Sequence, residues 1–178
     1  MLPLGHLGIG SRLLGRLRNR LDARWLYAGC LLPDLIDKPL YYALSLSTGR
    51  HGAALGLISG TRTFGHTGLL LLVLGLLALL SRGRAGAASA ALAALALGDT
   101  THLILDNLGD LLSPPPPERL TAIALFFPAM GVRFPIAHFA NFAEHLQSNL
   151  DNAFTIAGEL VGGAILLAAW LRARRQSS

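Results

Sequence analysis

The chain has one cysteine, Cys30, which excludes an intramolecular disulfide and any zinc site built on several thiolates. It is also poor in charge. Only 14% of its 178 residues are Asp, Glu, Lys or Arg, where a water-soluble domain carries nearer about a quarter. No basic stretch precedes the first apolar residues of Met-Leu-Pro-Leu-Gly-His, and no small-residue cleavage site follows. The expectation is therefore that no signal peptide is removed and that residues from Met1 onward stay with the protein. No internal repeat is visible. With multi-thiolate sites excluded, any metal must sit on His and carboxylate.

What the chain does have is apolar length. Just over half of it is hydrophobic, and its size suits a single domain. Residues 63–80 hold one ionisable group, His66, near their start, and 85–97 hold none. With 154–171 they predict three lipid-compatible helices. Two earlier segments, 4–17 and 25–35, are too short to cross a bilayer alone at about 1.5 Å per residue and are expected to be partly inserted. Residues 38–60 mix aromatics, Ser, Gly, Arg50 and His51, predicting an outer loop or interfacial hairpin. Four prolines, 114–117, break any helix. Residues 120–139, interrupted by Pro128, Gly131, Arg133 and Pro135, predict an interfacial or re-entrant segment, and 137–147 a short helix. The expected fold is an all-α membrane bundle. It divides into a core at 1–113, a proline-rich interfacial loop at 114–137 and C-terminal helices at 138–178.

The net charge of +5 is carried by arginines in three groups: Arg12, Arg16, Arg18, Arg20 and Arg24; Arg82 and Arg84; Arg172, Arg174 and Arg175. They flank apolar segments, so they sort topology and do not point to nucleic acid. Counting crossings puts all three groups on one side, the cytoplasmic one by the positive-inside rule.

His102 and Asp106 stand four apart, so a helix projects both from one face where they can grip one ion; Asp99 shares that face. Alone, the pair is equally well a hydrogen-bonded couple. Ionisable side chains at membrane depth are costly, which raises the functional alternative. Asp34 and Asp37 lie one turn apart, with helix capping as the plainer reading of Asp34. His66 follows Arg62 in Arg-Thr-Phe-Gly-His-Thr and taken singly is a boundary residue. Together these motifs say more. The crossing count places His6, Asp34, Asp37, His66, His102, Asp106 and Glu159 at the end opposite the arginines. Scattered polar residues would fall at both ends. One site built from several helices is expected at the extracytoplasmic end, and three His with two or three carboxylates suit zinc or a similar divalent ion, one or a pair.

The ordered set of His6, Leu32-Pro33-Asp34-Leu-Ile-Asp37, Arg62-Thr-Phe-Gly-His66-Thr67 and Gly98-x-x-x-His102-x-x-x-Asp106 resembles the bacterial inner-membrane metal-dependent hydrolases. That family is distantly related to zinc-dependent phospholipase C. The resemblance covers roughly the first 110 residues. It implies that His6, an Asp of the Asp34/Asp37 pair, His66, His102 and Asp106 are metal ligands in a multi-pass inner-membrane protein. The phospholipase C pattern has two further His and a Glu downstream. His138, His145 and Glu159 are the candidates here, at different spacing. For His138 and His145 the alternative is an interfacial amphipathic helix. Glu159, inside an apolar helix, needs a partner in any case.

A divalent ion with an open position acidifies bound water. The expected activity is hydrolysis of a phosphate ester or phosphodiester at the outer membrane surface, with Arg62 near the developing negative charge and Asp34 or Asp37 as proton acceptor. A site at headgroup level suggests a lipid or lipid-linked substrate. The alternatives are a binding or transport protein that handles a metal without catalysis, and a scaffold with a structural metal. The Leu, Ala and Gly of the arginine-side helix halves offer no polar path through the bilayer, which favours a one-sided site.

Overall fold

The computed structural model describes residues 2–15, 21–82 and 86–177. Arg16, Arg18, Arg20 and Arg84 of the topology argument lie outside them. All regular structure among the described residues is helical. The chain opens with α1 (Pro3–Gly5), runs through a π-helical turn (His6–Gly10) and continues as α2 (Ser11–Leu13). Pro3 sits in the first helical turn, where its missing N–H costs nothing.

Next comes α3 (Ala23–Thr48), which corrects two expectations. The second segment is 26 residues long and not a short inserted piece, and its last turns take up the first part of the expected outer loop. Asp22 starts the helix by accepting the Arg24 N–H at 2.9 Å, and Gly49, with φ 66°, ends it in the left-handed conformation that glycine adopts freely. Pro33 and Pro39 lie inside it. Lys38, expected to open the loop, instead continues the helix one turn after Asp34 and bonds to it.

A 3₁₀ turn (Phe64–His66) leads into α4 (Gly68–Leu80), which is capped by the Thr67 hydroxyl accepting the Leu70 N–H at 3.1 Å. At 13 residues α4 rises about 20 Å, less than a hydrocarbon core. Then come α5 (Gly86–Leu112), α6 (Thr121–Leu125), α7 (Phe142–Leu150) and α8 (Ala153–Ser177). The short helix expected at 137–147 thus begins five residues later. The proline-rich loop is pinned where Ile136 N–H donates to Glu118 O at 3.0 Å and Ala137 N–H to Ser59 O at 2.9 Å.

Close backbone approaches hold the helices together. A Cβ on Gly98 of α5 would lie 2.3 Å from the Leu26 carbonyl oxygen of α3, and one on Gly29 would lie 2.2 Å from Leu95 O. Gly8 and Gly162 make the same contact between the N-terminal helix and α8. Only hydrogen fits at such crossings, so small residues let the helix backbones approach closely.

The polarity is inside out. His6, Asp37, Thr63, His66, Asp99, Thr101, His102 and Asp106 are buried, while Leu72, Val73, Leu76 and Leu80 of α4 and Leu160, Val161 and Leu167 of α8 are exposed. Two helices, α5 and the Ala153–Gln176 part of α8, are long and apolar enough to cross a membrane.

Candidate metal centre

Five side chains from four elements converge: His6 from the π turn, Asp34 from α3, His66 from the 3₁₀ turn, and His102 and Asp106 from α5. Two triads of donor atoms lie close enough to hold an ion, His6–His102–Asp106 and Asp34–His66–His102. Asp106 Oδ1 is 3.3 Å from His6 Nε2, and its Oδ2 is 3.6 Å from His66 Nε2 and 3.8 Å from His102 Nε2. Asp34 Oδ1 is 3.8 Å from His66 Nε2.

Hydrogen bonds on the far ring nitrogens fix the tautomers. His102 Nδ1 lies 2.8 Å from the Cys30 carbonyl oxygen, which can only accept, so Nδ1 carries the proton and Nε2 keeps its lone pair. His66 Nδ1 lies 2.7 Å from Asp37 Oδ2 and so carries a proton as well, which in the neutral ring leaves Nε2 with its lone pair. The two Nε2 atoms then face each other at 3.2 Å. Lone pair against lone pair is repulsive unless a proton or a metal cation sits between them. Two nitrogens at about 2.0–2.1 Å from a tetrahedral zinc would be roughly 3.3 Å apart.

His6 supplies the second sign. Its ring is buried at 1% exposure and stacks on His102 with centroids 3.7 Å apart. Neither of its nitrogens makes a hydrogen bond with a described residue, though Nε2 lies 3.3 Å from Asp106 Oδ1. Buried imidazole normally finds a partner, and a ring whose donor atom groups with those of His102 and Asp106 fits a cation. His102 has one free lone pair, so the two triads that share it cannot both be filled, and they merge into one centre.

Asp37 has a different place from the ligand and proton-acceptor roles expected for it. Its Oδ1 accepts from the Thr63 hydroxyl at 2.8 Å and the Gly65 N–H at 2.9 Å; its Oδ2 accepts from the Thr63 N–H at 2.6 Å, His66 Nδ1 and the His66 N–H. With both oxygens saturated it orients His66, as a carboxylate does behind a metal-bound histidine. Glu159 is likewise not among the ligands. It accepts the Leu4 and Gly5 N–H groups at 3.0 and 2.7 Å and so caps the N-terminal helix. His138 pairs with Ser148 Oγ at 2.9 Å, and His145 Nδ1 meets the Tyr42 hydroxyl at 2.5 Å while its ring stacks on Phe139 at 4.0 Å. Both stand in the wall of the cavity outside the centre. Burial, then the Lys38 charge, pushes the His145 imidazole down to about 3.

That cavity, of about 190 Å³, opens off Asp34 and Asp106. Arg62 crosses it, its Nε 3.3 Å from Asp106 Oδ2 and its Nη1 3.5 Å from Asp110 Oδ1. Lys38 Nζ bonds Asp34 Oδ2 at 2.6 Å. Sequence reasoning missed Lys38, Asp110 and Arg119, which share the cavity wall. Asp110 extends the four-residue spacing of His102 and Asp106, and Lys38 stands four after Asp34, so spacing carried a signal for both. Arg119, in the proline-rich loop, had none. Asp99 is fully buried and neither oxygen makes a hydrogen bond with a described residue, but it belongs to neither donor triad.

Comparison of the chain with models of known protein families, with characterised proteins and with solved structures gave no match.

Proposed function

We propose that the chain is a membrane-embedded metal-dependent hydrolase that cleaves a phosphate ester of a lipid or lipid-linked substrate, in keeping with the family it resembles. The observation that carries this reading is the pair of imidazole nitrogens, His66 Nε2 and His102 Nε2, held face to face at 3.2 Å beside the buried His6 ring and the carboxylates of Asp34 and Asp106. Three imidazoles and two carboxylates form a donor set suited to zinc. When bound, such an ion acidifies water and offsets charge on a phosphoryl oxygen.

The residues of the chain divide the remaining work. Asp34, which lines the cavity and is tied to Lys38, is the group that accepts the proton of the attacking water in this reading. Arg62 faces the cavity and neutralises negative charge gathering on the phosphoryl oxygens. In the balanced step, the oxygen of water bonds to phosphorus, the ester P–O bond breaks, and the proton taken from water goes to the leaving oxygen. The inside-out polarity supports a bundle in the inner membrane. Arg24 begins α3, Arg82 follows α4 and Arg172, Arg174 and Arg175 end α8, so the arginines mark the cytoplasmic ends and the centre faces outward.

The test is turnover. Purified protein incubated with phospholipids and isoprenoid phosphates should release headgroup or phosphate, and a chelator should stop it. Absence of release from every phosphate-bearing lipid would replace this reading by one of metal binding or transport.

A further inference from the structure

We propose that the site recognises a terminal phosphate group, as in a phosphate monoester or a diphosphate, in preference to a phosphodiester, and that Arg119 is the side chain that recognises it. This rests on the hydrolase reading and names the substrate class of the same site.

The argument starts from charge. The cavity wall holds three carboxylates, Asp34, Asp106 and Asp110, and three cations, Lys38, Arg62 and Arg119. Five of these six are tied together: Lys38 to Asp34, and Arg62 to both Asp106 and Asp110. Arg119 is the exception. Its side chain, partly buried in the wall, forms no ion pair with any described residue, and its backbone N–H donates to Pro116 O at 2.9 Å. A guanidinium is always charged and presents donors in a fork that matches two phosphate oxygens. An unpaired one in a cavity wall is a site awaiting an anion.

The fixed charges of the wall cancel, so a divalent ion at the His/Asp centre adds two positive charges that no wall side chain offsets. A phosphate monoester near neutral pH carries about −1.5 to −2, which balances it. A phosphodiester carries only one negative charge, and a zwitterionic headgroup adds a cation for which the wall keeps no spare carboxylate. Position agrees with charge. Arg62, Arg119 and His138 line one cavity, and burial and then the charges of Arg119 and Arg62 lower the His138 pKa. The Pro117–Arg119 turn that carries Arg119 is anchored by the bond from Ile136 N–H to Glu118 O. Leu105, Phe139 and Phe154 line the same cavity and suit a hydrocarbon chain attached to the phosphate.

The test uses the whole protein in detergent, loaded with zinc, as wild type, Arg119→Ala and Arg119→Lys, with metal content measured on each preparation. Each is titrated calorimetrically with inorganic phosphate, pyrophosphate, micellar phosphatidic acid, micellar farnesyl diphosphate and micellar phosphatidylcholine. The terminal phosphates should bind the wild type about ten-fold or more tightly than phosphatidylcholine. Arg119→Ala should weaken them about ten-fold at unchanged zinc content, and Arg119→Lys should recover part of the loss. Tighter binding of the lipid forms than of the inorganic ones identifies the source as a lipid; equal binding identifies the free anion. Phosphatidylcholine binding as tightly as phosphatidic acid, or Arg119→Ala binding like wild type, overturns the proposal. Binding as expected without turnover of any substrate would remove the hydrolase reading and leave this recognition standing. Phosphodiester turnover unaffected by Arg119→Ala would do the reverse.

Discussion

The Asp37 carboxylate holds His66 by ring and backbone at once, accepting from Nδ1 at 2.7 Å and from the His66 N–H at 3.3 Å. The same carboxylate ties down Thr63 and Gly65, so the 3₁₀ turn that presents His66 is wrapped around one buried anion. Its role is to aim an imidazole. Asp37→Asn should therefore weaken zinc affinity about 10- to 100-fold without abolishing the site. Competition against a chelating dye checks this, with saturating zinc still giving wild-type stoichiometry. An unchanged affinity would mean that His66 is aimed by something else.

Glu159→Ala should separate capping from ligation. The side chain accepts two N–H groups of the N-terminal helix, and partly exposed charged hydrogen bonds of this kind contribute on the order of 1 kcal/mol. The thermal midpoint in detergent should fall while metal content stays at the wild-type value. Loss of metal without loss of stability would return Glu159 to the centre.

Much of the site was legible because helical spacing and chain order converge. The His102/Asp106 pair, Arg62, His66 and His6 were each weak alone and gained weight from falling at one end of successive segments, and their donor atoms do meet. The parts that could not be read depend on partners distant in sequence. Nothing local distinguishes Asp34, which faces the cavity, from Asp37, whose oxygens are filled by residues 26 to 29 positions away. Glu159 in an apolar helix announced the need for a partner, yet the partner is the backbone of Leu4 and Gly5. The length of α3 was hidden for a similar reason. Its inward face carries Asp34, Asp37 and Tyr41, so its hydropathy falls along a stretch that is nonetheless helical.

Gly98→Ala tests whether the α3–α5 crossing sets the site. The added methyl would meet the Leu26 carbonyl at 2.3 Å, and backbone cannot yield as a side chain tip can. Separation of the helices would shift His102 from the Cys30 carbonyl that orients it. Overpacking of this sort costs about 1–3 kcal/mol, so a lower thermal midpoint and weaker zinc binding should appear together. Wild-type values of both would show that the crossing tolerates the methyl.

Acid should destabilise the fold through His145. Its pKa is lowered, by burial first and then by Lys38, to about 3, against about 6.5 in an unfolded chain. The unfolded state thus takes up a proton that the folded state refuses, so the stability of the neutral ring is full above about pH 6.5 and is lost progressively as pH falls towards the folded value. Arg62 repels the same proton and Asp34 opposes that repulsion. His145→Gln should flatten the decline of the thermal midpoint between about pH 6.5 and 4. An unaltered slope would assign the acid sensitivity elsewhere.

The most direct measurement is the metal content of the protein purified in detergent, as wild type, His66→Ala and His102→Ala, with Glu159→Ala as a folded control. The account predicts one equivalent of a divalent ion in the wild type and in Glu159→Ala, and near none in either histidine variant, each still eluting as a folded species. Equal metal in all four, or none in the wild type after incubation with zinc, would contradict it.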